Sequence, residues 1–486
     1  MCFVKVITVV LVALYVAGWV EAAEEEQCVS CLKVRVGRPL VVRDGSDEDG
    51  LDTKFYVIKT LDGQYRGYSS GGGRARVITG PAAWSMGWSA NSVMEAGASG
   101  SASECGVWIN SPIALRGEFV AAVHQEQACD YINGGQTHKS MGVSFSYDGV
   151  SWVNPVTIIA SSVGPRLGQQ TGEGDCSLVR APGSSHLYIY CLRALRWDTI
   201  VARAPVSSYM SPGSWKKFSR GQWGSPDVYG DADSLGVVGH SVGYLRPHKM
   251  VFLLDLDPWF GGVKMSLSSD YVNFKLLSDP LIPFSESNWN RERIGQKSDL
   301  VAYVGVVNYA EGGNNVDGAG WGITYTYIPH GGRMRDKFLV YQDVSVEKAV
   351  GKKSSVGLAL TRWENKLNGK FRTTTFPVVD QDEYLEGGRV AYVLTRRPAL
   401  VESVELEECR NTYDIGEYLL TGGGDCAGTW HERLGTVGWL YKKRQSNTVP
   451  VYRCYSSIRQ AHFASNNSDC DGIGEVEYLL GYGMKD

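Results

Sequence analysis

The sequence predicts an all-β protein: a five-bladed β-propeller followed by a small, disulfide-stapled tandem-repeat β domain. The first observation is the composition, because 58 Gly, 26 Tyr and 14 Trp among 486 residues favour many short strands and tight turns over long helices. The second is a turn-and-aromatic pattern that returns at a regular spacing. The third is a shorter, cysteine-containing repeat near the C-terminus.

The longer repeat is defined by a hairpin that ends in an aromatic residue. In residues 146–152, Asp148-Gly149 signals a tight turn and the final Trp opens the returning strand. The aromatic residues that end successive copies are Trp152, Trp215, Phe274 and Phe371, the first three 63 and 59 residues apart. An insertion stretches the last interval, and a copy beginning at Asp52 brings the count to five between residues 52 and 378. With four strands in each copy, this period is typical of propeller blades.

Two other strand arrangements stay open at this point. The Gly-, Ser- and Ala-rich span 69–104 is too long for a plain connection, and a blade within it would raise the count to six. A pair of β-sandwiches would also contain many short strands, but it would not repeat the same turn and aromatic residue at this spacing.

The chain divides into four parts. Residues 1–22 have the features of a signal peptide: Lys5, an apolar run at 6–20 and small residues around Ala22. An apolar run of about fifteen residues is too short to span a bilayer comfortably. Residues 23–50 form an N-terminal segment with an edge strand near 32–42, residues 51–380 form the propeller, and residues 403–486 form the tandem repeats. We therefore expect a secreted protein that has no membrane partner once the signal peptide is removed.

Removal of the signal peptide leaves ten cysteines, an even number that indicates disulfide bonds in an oxidising compartment. Proximity in the sequence suggests the pairs Cys28–Cys31, Cys105–Cys129, Cys176–Cys191, Cys409–Cys426 and Cys454–Cys470. Cys28 and Cys31 could instead form a redox or metal pair, although no second such pair or nearby His supports this. Asn466 begins the one N-glycosylation sequon, which is typical of a surface loop in a secreted protein.

Residues 403–486 contain two copies of a unit of about 45 residues. Each copy would be stapled by its own disulfide if the local pairing holds. The second copy has an Arg-Cys-Tyr start at Arg453, a His-Phe middle at His462 and a Leu-Gly-Tyr end at Tyr482. In these features it resembles short Tyr- and Gly-rich repeats appended to many secreted proteins. The resemblance implies a surface- or sugar-binding role.

Candidate catalytic residues are expected at the propeller channel, because the first residues of each innermost strand point towards one of its mouths. Asp52, Asp175 and Asp233, with Asp231 close by, precede the first strand of three different units. Hydrolysis of a glycosidic bond needs one carboxyl to protonate the leaving oxygen and a second to activate water or attack. A third can hold the first in its proper protonation state.

Residues 50–380 resemble the five-bladed propeller glycosidases of the arabinanase, xylosidase and fructosidase type. The resemblance rests on Asp52 ahead of a Phe-Tyr-Val-Ile strand, on Asp175-Cys-Ser-Leu-Val-Arg followed by Leu-Tyr-Ile-Tyr at 187–190, and on the blade hairpins. It implies that Asp52 is the base or nucleophile and that Asp175 adjusts the pKa of the acid. Asp231 or Asp233 then stands where the family has a Glu as the acid. The resemblance also implies a carbohydrate substrate without a cofactor, and it allows a structural cation such as calcium in the channel.

A second group of candidates surrounds His124. Strand alternation places His124 and Glu126 on one face, so Glu126 is an alternative general acid. His124, His240 and Asp231 are candidates for hydrogen bonding to the substrate. The alternative is a solvated pair at the end of a strand.

Several other functions are excluded or disfavoured. A net charge of −4 and the absence of a basic run with interleaved aromatic residues argue against a nucleic-acid partner. No Gly-x-Ser-x-Gly nucleophile motif is present. The hairpins at Asp148 and Asp270 resemble one full and one partial Asp box of sialidases, but no arginine cluster accompanies them. The remaining alternative is a non-catalytic carbohydrate- or protein-binding propeller.

Overall fold

The protein is described here by a computed structural model that covers residues 28–45, 51–87, 91–132, 135–256, 262–283, 298–333, 335–349, 355–414, 416–424, 426 and 430–486. These residues contain no α-helix, only short 3-10 turns, which confirms the predicted all-β class. No helix in this part of the chain has the length and apolar character needed to cross a membrane. The predicted signal peptide lies outside the described residues.

The chain first forms four antiparallel meanders, called units I to IV. Unit I contains β2 (Val57–Lys59), β3 (Tyr65–Gly71), β4 (Arg74–Gly80) and β5 (Ser92–Met94). Unit II contains β6 (Gly106–Leu115), β7 (Glu118–Asp130), β8 (Gln136–Ser146) and β9 (Val156–Ile159). Unit III contains β10 (Gln170–Val179), β11 (His186–Arg193), β12 (Asp198–Pro205), β13 (Lys216–Ser219) and β14 (Gln222–Pro226). Unit IV contains β15 (Gly239–Leu245), β16 (Met250–Leu256), β17 (Val263–Ser268) and β18 (Lys275–Leu276).

Unit V joins the two ends of this region of the chain. Its strands are β19 (Leu300–Asn308), β21 (Trp321–Ile328), β22 (Phe338–Lys348) and β1 (Leu32–Asp44), while β20 (Asn315–Val316) pairs with β15 of unit IV. The predicted N-terminal edge strand is therefore the fourth strand of unit V, where it pairs antiparallel with β22. The count of five blades stays a prediction, because units II and III share one sheet through parallel pairing of β8 and β10 and unit V continues into the C-terminal strands.

The first strands of units II to V contact one another in chain order, and each carries a bulge. β6, β10 and β19 change register near their middle, and β15 changes register at its start. At three of these bulges a residue other than glycine has a positive φ: Ser111 at 46°, Asp175 at 52° and Tyr303 at 53°. A bulge re-aims the side chain that it carries. Asp175 and Tyr303 therefore occupy equivalent positions on different first strands.

Two outer hairpins repeat the same design in units II and IV. Asp148 Oδ1 accepts the amides of Val150 and Ser151, both at 2.7 Å. Asp270 Oδ1 likewise accepts the amides of Val272 at 3.1 Å and Asn273 at 2.8 Å. Each of the two predicted turns is thus closed by hydrogen bonds from its own backbone amides to its Asp carboxylate. These two carboxylates therefore have a structural role.

Each hairpin is held by a tyrosine of the preceding unit. The Tyr68 hydroxyl donates to Gly149 O at 2.7 Å, and the Tyr190 hydroxyl donates to Tyr271 O at 2.9 Å. The Tyr68 ring lies edge-on to Trp152 at 5.6 Å, and the Tyr190 ring lies edge-on to Phe274 at 5.8 Å. These contacts join unit I to unit II and unit III to unit IV in the same way.

The C-terminal strands form three modules of three strands each. The first contains β23 (Val356–Asn365), β24 (Phe371–Thr374) and β25 (Tyr384–Leu394). The second contains β26 (Ser403–Asn411), β27 (Tyr418–Gly422) and β28 (His431–Tyr441). The third contains β29 (Thr448–Ser456), β30 (Ala461–Ser465) and β31 (Glu475–Met484). In every module the first strand pairs with both others, and its pairing with the third strand carries two successive register shifts.

The sequence revealed only the second and third modules, because the first has neither the cysteine pair nor the His-Phe segment. Strands near 355–360 and 368–371, which the sequence assigned to the last propeller copy, belong by their pairing to the first module. Ion pairs interlock the modules: Arg372 with Glu408, Lys370 with Asp414, Arg459 with Glu364 and His462 with Glu417. The short strands β24, β27 and β30 also contact one another.

All five predicted disulfides are present, including Cys28–Cys31. The local pairing was therefore predicted correctly from proximity alone. Asn466 of the predicted sequon is partly buried, and its Nδ2 donates to Val390 O at 3.0 Å. Glycosylation at Asn466 stays a prediction.

Candidate functional site

The candidate site is centred on Asp175, at the bulge of β10. Lys139 Nζ lies 2.8 Å from Asp175 Oδ2, and the Lys139 side chain is only 12% exposed. From unit I, Lys54 Nζ donates to the Asp175 carbonyl and to Ser177 Oγ at 2.9 Å. Two ammonium groups therefore hold Asp175, one at its carboxylate and one at its backbone.

His124 connects Asp175 with Glu126. The Asp175 amide donates to His124 Nδ1 at 3.0 Å, so Nδ1 is an acceptor and carries no proton. His124 Nε2 consequently bears the hydrogen and donates to Glu126 Oε1 at 3.0 Å. The hydrogen bond from a backbone amide therefore orients the ring so that Nε2 faces Glu126. His124 thus fixes the backbone of one acidic residue and the carboxylate of another.

Glu126 is buried but ionised. Its side chain is 10% exposed, and its Oε2 accepts a hydrogen bond from the Tyr131 hydroxyl. Burial raises the pKa of Glu126, but His124, Lys139 and Tyr131 outweigh burial and lower the pKa to about 2. A carboxyl with this pKa carries no proton at neutral pH. The predicted use of Glu126 as a general acid therefore lacks electrostatic support.

Asp52 reaches the same region from unit I. Its carboxylate is 53% exposed and lies 2.6 Å from Lys337 Nζ. Lys337 also lines an open cavity of about 460 Å³. Next to Asp52, Thr53 Oγ1 donates to Asn110 Oδ1 at 2.6 Å, which ties the segment to the first strand of unit II.

Tyr303, at the bulge of β19, is affected by the charges of three candidate carboxylates. Burial raises the pKa of Tyr303 well above its ordinary value, and the charges of Asp52, Asp175 and Glu126 raise it further. Units I, II and III thus supply the acids, and unit V supplies the tyrosine.

The two lysines of the site differ in their electrostatics. Burial lowers the pKa of Lys54 to about 7 against the attraction of Asp175. At Lys139 burial also lowers the pKa, but Asp175 and Glu126 outweigh it and raise the pKa above its usual value. Lys139 therefore supplies a cation next to Asp175. In the described part of the chain no group of three or more His, Cys, Asp or Glu residues is placed to hold a metal ion. The structural cation that the resemblance allows in the channel stays a prediction.

The structure does not bring Asp231 and Asp233 to this site. Asp233 Oδ2 accepts the amide of Gly221 at 2.9 Å, in the turn between β13 and β14. Its own amide donates to Phe218 O at 2.9 Å, which attaches the segment to an outer strand of unit III. Asp231 is exposed, and β15 begins at Gly239 after Val238, so no carboxylate directly precedes the first strand of unit IV. The His240 side chain lies outside the described residues.

Sequence reasoning found Asp52, Asp175, His124 and Glu126 but missed Lys54, Lys139, Tyr131 and Tyr303. Strand alternation gives no signal for Lys54, because Lys54 lies ahead of β2 rather than within a strand. No local signal identifies Tyr303, since its position depends on a bulge that only pairing with β21 reveals. The site therefore needs the packing of separate units before it can be recognised.

No family model and no curated protein matches the chain. Solved structures similar to it include Zg3597, a family 117 glycoside hydrolase of the marine bacterium Zobellia galactanivorans, at 12% identity and a TM-score of 0.41, covering 66% of this chain and 92% of that one. A thermostable family-43 glycoside hydrolase matches at 10% identity and 0.42, covering 65% and 97%. Sucrose-6-phosphate hydrolase of Lactobacillus gasseri matches at 10% and 0.42, covering 92% and 89%. With every TM-score below 0.5, these likenesses assign the chain to none of the families.

Proposed function

We propose that the chain hydrolyses glycosidic bonds of a polysaccharide or oligosaccharide at the site formed by Asp52, Asp175 and Glu126. The supporting observation is that Asp175 and Glu126, from different units, share His124 as a hydrogen-bond partner, while Asp52 acts on the same Tyr303 as these two residues. Glycoside hydrolysis needs closely placed carboxyl groups because positive charge develops on the sugar ring in the transition state.

The roles follow from exposure and charge. Asp52, with the most exposed carboxylate, is the base or nucleophile, and Lys337 keeps it oriented. Glu126, ionised and buried, stabilises the positive charge of the transition state. Asp175 is held by Lys139. None of the three carboxyls is assigned as a proton donor, so water supplies the proton that the leaving oxygen takes up when the glycosidic bond breaks.

Carbohydrate binding without hydrolysis is the second candidate. Two observations favour it: the low pKa of Glu126, which removes it as a proton donor, and Val238 ahead of β15, where the resemblance would require an acid. The same contacts would then recognise sugar hydroxyls through charge-assisted hydrogen bonds.

A panel of arabinan, xylan and inulin separates the two candidates. We expect reducing-sugar release from one of these polymers by the wild-type protein and little release by Asp175→Asn. Retardation of the wild type in a gel containing the polymer, without reducing-sugar release, would favour binding alone. Neither release nor retardation with any polymer would contradict both candidates.

We also propose that the protein is secreted. Five disulfides support this location, because such bonds form and persist in oxidising compartments. Detection of the protein in the culture medium, with an N-terminus near residue 23, tests this proposal.

A further inference from the structure

Tyr131 combines an exposed ring with an anchored hydroxyl. It follows β7 directly and is 53% exposed. Its hydroxyl nevertheless donates to Glu126, a residue that is only 8% exposed. The hydroxyl thus points to Glu126, while much of the flat apolar ring remains exposed to solvent.

The segment that carries Tyr131 is braced on both sides. The Cys105–Cys129 disulfide joins it to the start of β6. The Ala128 amide donates to Glu104 Oε1 at 2.8 Å, and the Ala128 carbonyl accepts from Gln136 Nε2 at 2.8 Å. The ring is therefore already in position before a ligand binds, so less conformational entropy is lost on binding.

We propose that Tyr131 is the sugar-stacking residue of the site, with its ring held in place by the disulfide-braced segment and its hydroxyl hydrogen-bonded to Glu126. This inference rests on the proposed function and specifies its ligand. The apolar face of a sugar ring packs on an aromatic ring, while the sugar hydroxyls reach carboxylates such as Glu126 and Asp175.

The ligand class is a neutral saccharide. Lys139 pairs with Asp175 and Lys337 pairs with Asp52, so the cations of the site are already engaged by its own carboxylates. A sugar carboxylate or sulfate would meet the negative charges of Glu126 and Asp52 and be repelled. Hydroxyl groups meet no such penalty.

The test separates the ring of Tyr131 from its hydroxyl. Tyr131→Phe keeps the ring, and Tyr131→Ala removes it. The matched control is Tyr147→Ala, because Tyr147 is 72% exposed on an outer hairpin and its ring contacts Phe145. Dissociation constants come from affinity electrophoresis in arabinan, xylan and inulin gels, with the fold of each variant checked by circular dichroism.

We expect Tyr131→Phe and Tyr147→Ala to bind within about twofold of the wild type and Tyr131→Ala to bind roughly tenfold more weakly. Because Phe removes a hydrogen bond to the ionised Glu126, it should also raise the Glu126 pKa, which carboxyl NMR detects without any activity. The pKa change reports the hydrogen bond to Glu126, which a merely structural Tyr131 would also make. Weaker binding by Tyr131→Ala but not by Tyr131→Phe reports the stacking role of the ring.

Wild-type-like binding by Tyr131→Ala would overturn the inference, as would equal weakening by Phe and Ala. Retardation that depends on Tyr131 without any reducing-sugar release would contradict hydrolysis but support the stacking role. Absence of wild-type retardation in all three gels would overturn the stacking role itself.

Discussion

At Glu126, hydrogen bonds and neighbouring charges outweigh burial, and this balance has a measurable consequence for stability. The pKa of about 2 in the folded state lies below the ordinary 4.5. A carboxyl with a lowered pKa contributes stability that is fully present above pH 4.5 and is lost as the pH falls towards 2. The difference corresponds to about 3 kcal/mol.

We therefore expect Glu126→Gln to flatten the acid side of the stability profile. Between pH 5 and pH 2 the unfolding free energy of the wild type should fall by about 3 kcal/mol more than that of the variant. Urea unfolding at a series of pH values measures both curves. Parallel curves would show that the Glu126 carboxylate gains nothing from His124 and Tyr131.

The acidic residues show which single positions of the candidate site could be predicted from the sequence. His124 and Glu126 could be predicted because strand alternation is a local property. Asp175 was predicted to precede the first strand of its unit, but it lies at a bulge inside β10, which begins at Gln170. Asp233 looked equivalent in the sequence, yet the structure ties its segment to the outer strands of unit III. The spacing of residues along the sequence does not show whether a loop packs near the first strand of a unit or near an outer strand.

At the scale of elements, the paired tyrosines join neighbouring units. Tyr68 and Tyr190 are buried, and each donates one hydrogen bond to a backbone carbonyl of the next unit. We expect Tyr68→Phe and Tyr190→Phe each to lower the unfolding free energy by about 1 kcal/mol, because a buried carbonyl loses its donor. Chemical denaturation measures the loss.

Tyr147→Phe is the control for this pair, because Tyr147 is exposed in one of the two hairpins. It should leave stability unchanged. The losses of the two buried sites should add, since they involve different pairs of units. If Tyr68→Phe unfolded at the same denaturant concentration as the wild type, the Tyr68 hydroxyl would not help to hold units I and II together.

The hairpins themselves were the most predictable elements. Asp148-Gly149 and the following Trp152 identified a turn whose geometry the backbone amides confirm. Trp215 does not belong to such a hairpin: its Nε1 donates to Tyr209 O at 2.8 Å, and no turn carboxylate accompanies it in the sequence. The aromatic residues of the predicted repeat thus have different local structures, and Phe371 belongs to the first C-terminal module.

At the scale of the whole molecule, the three C-terminal modules depend on one another. Arg372 of the first module and Glu408 of the second have side chains 13% and 0% exposed, and their Nε and Oε1 atoms lie 2.6 Å apart. The first module was not recognised from the sequence because it lacks the cysteine pair of the other two. It resembles them only in how its strands pair. Charge pairing across modules could not be predicted without that geometry.

Breaking this pair on one side should be costly. Arg372→Met leaves the Glu408 charge buried without its partner, so we expect a loss of about 3–5 kcal/mol of unfolding free energy. The double variant Arg372→Met, Glu408→Leu should lose less. Lys443→Met is the control, because Lys443 and Glu402 form a pair that is 80% and 65% exposed.

Equal stability of Arg372→Met and the wild type in guanidinium unfolding would contradict the interlocked arrangement. So would a double variant that is less stable than the single one. Either result would mean that the first module does not rest on the second through this contact.

The convergence of Asp52 and Asp175 on one site is tested most directly by the reducing-sugar release rates of three Asp→Asn variants on one polymer that the wild type degrades. We expect Asp52→Asn and Asp175→Asn each to lower kcat/KM by about 10²–10⁴-fold, because each removes a carboxylate from the reacting centre. Asp233→Asn should stay close to the wild type, since Asp233 closes an outer turn. Full activity in Asp175→Asn, or loss of activity only in Asp233→Asn, would contradict the site.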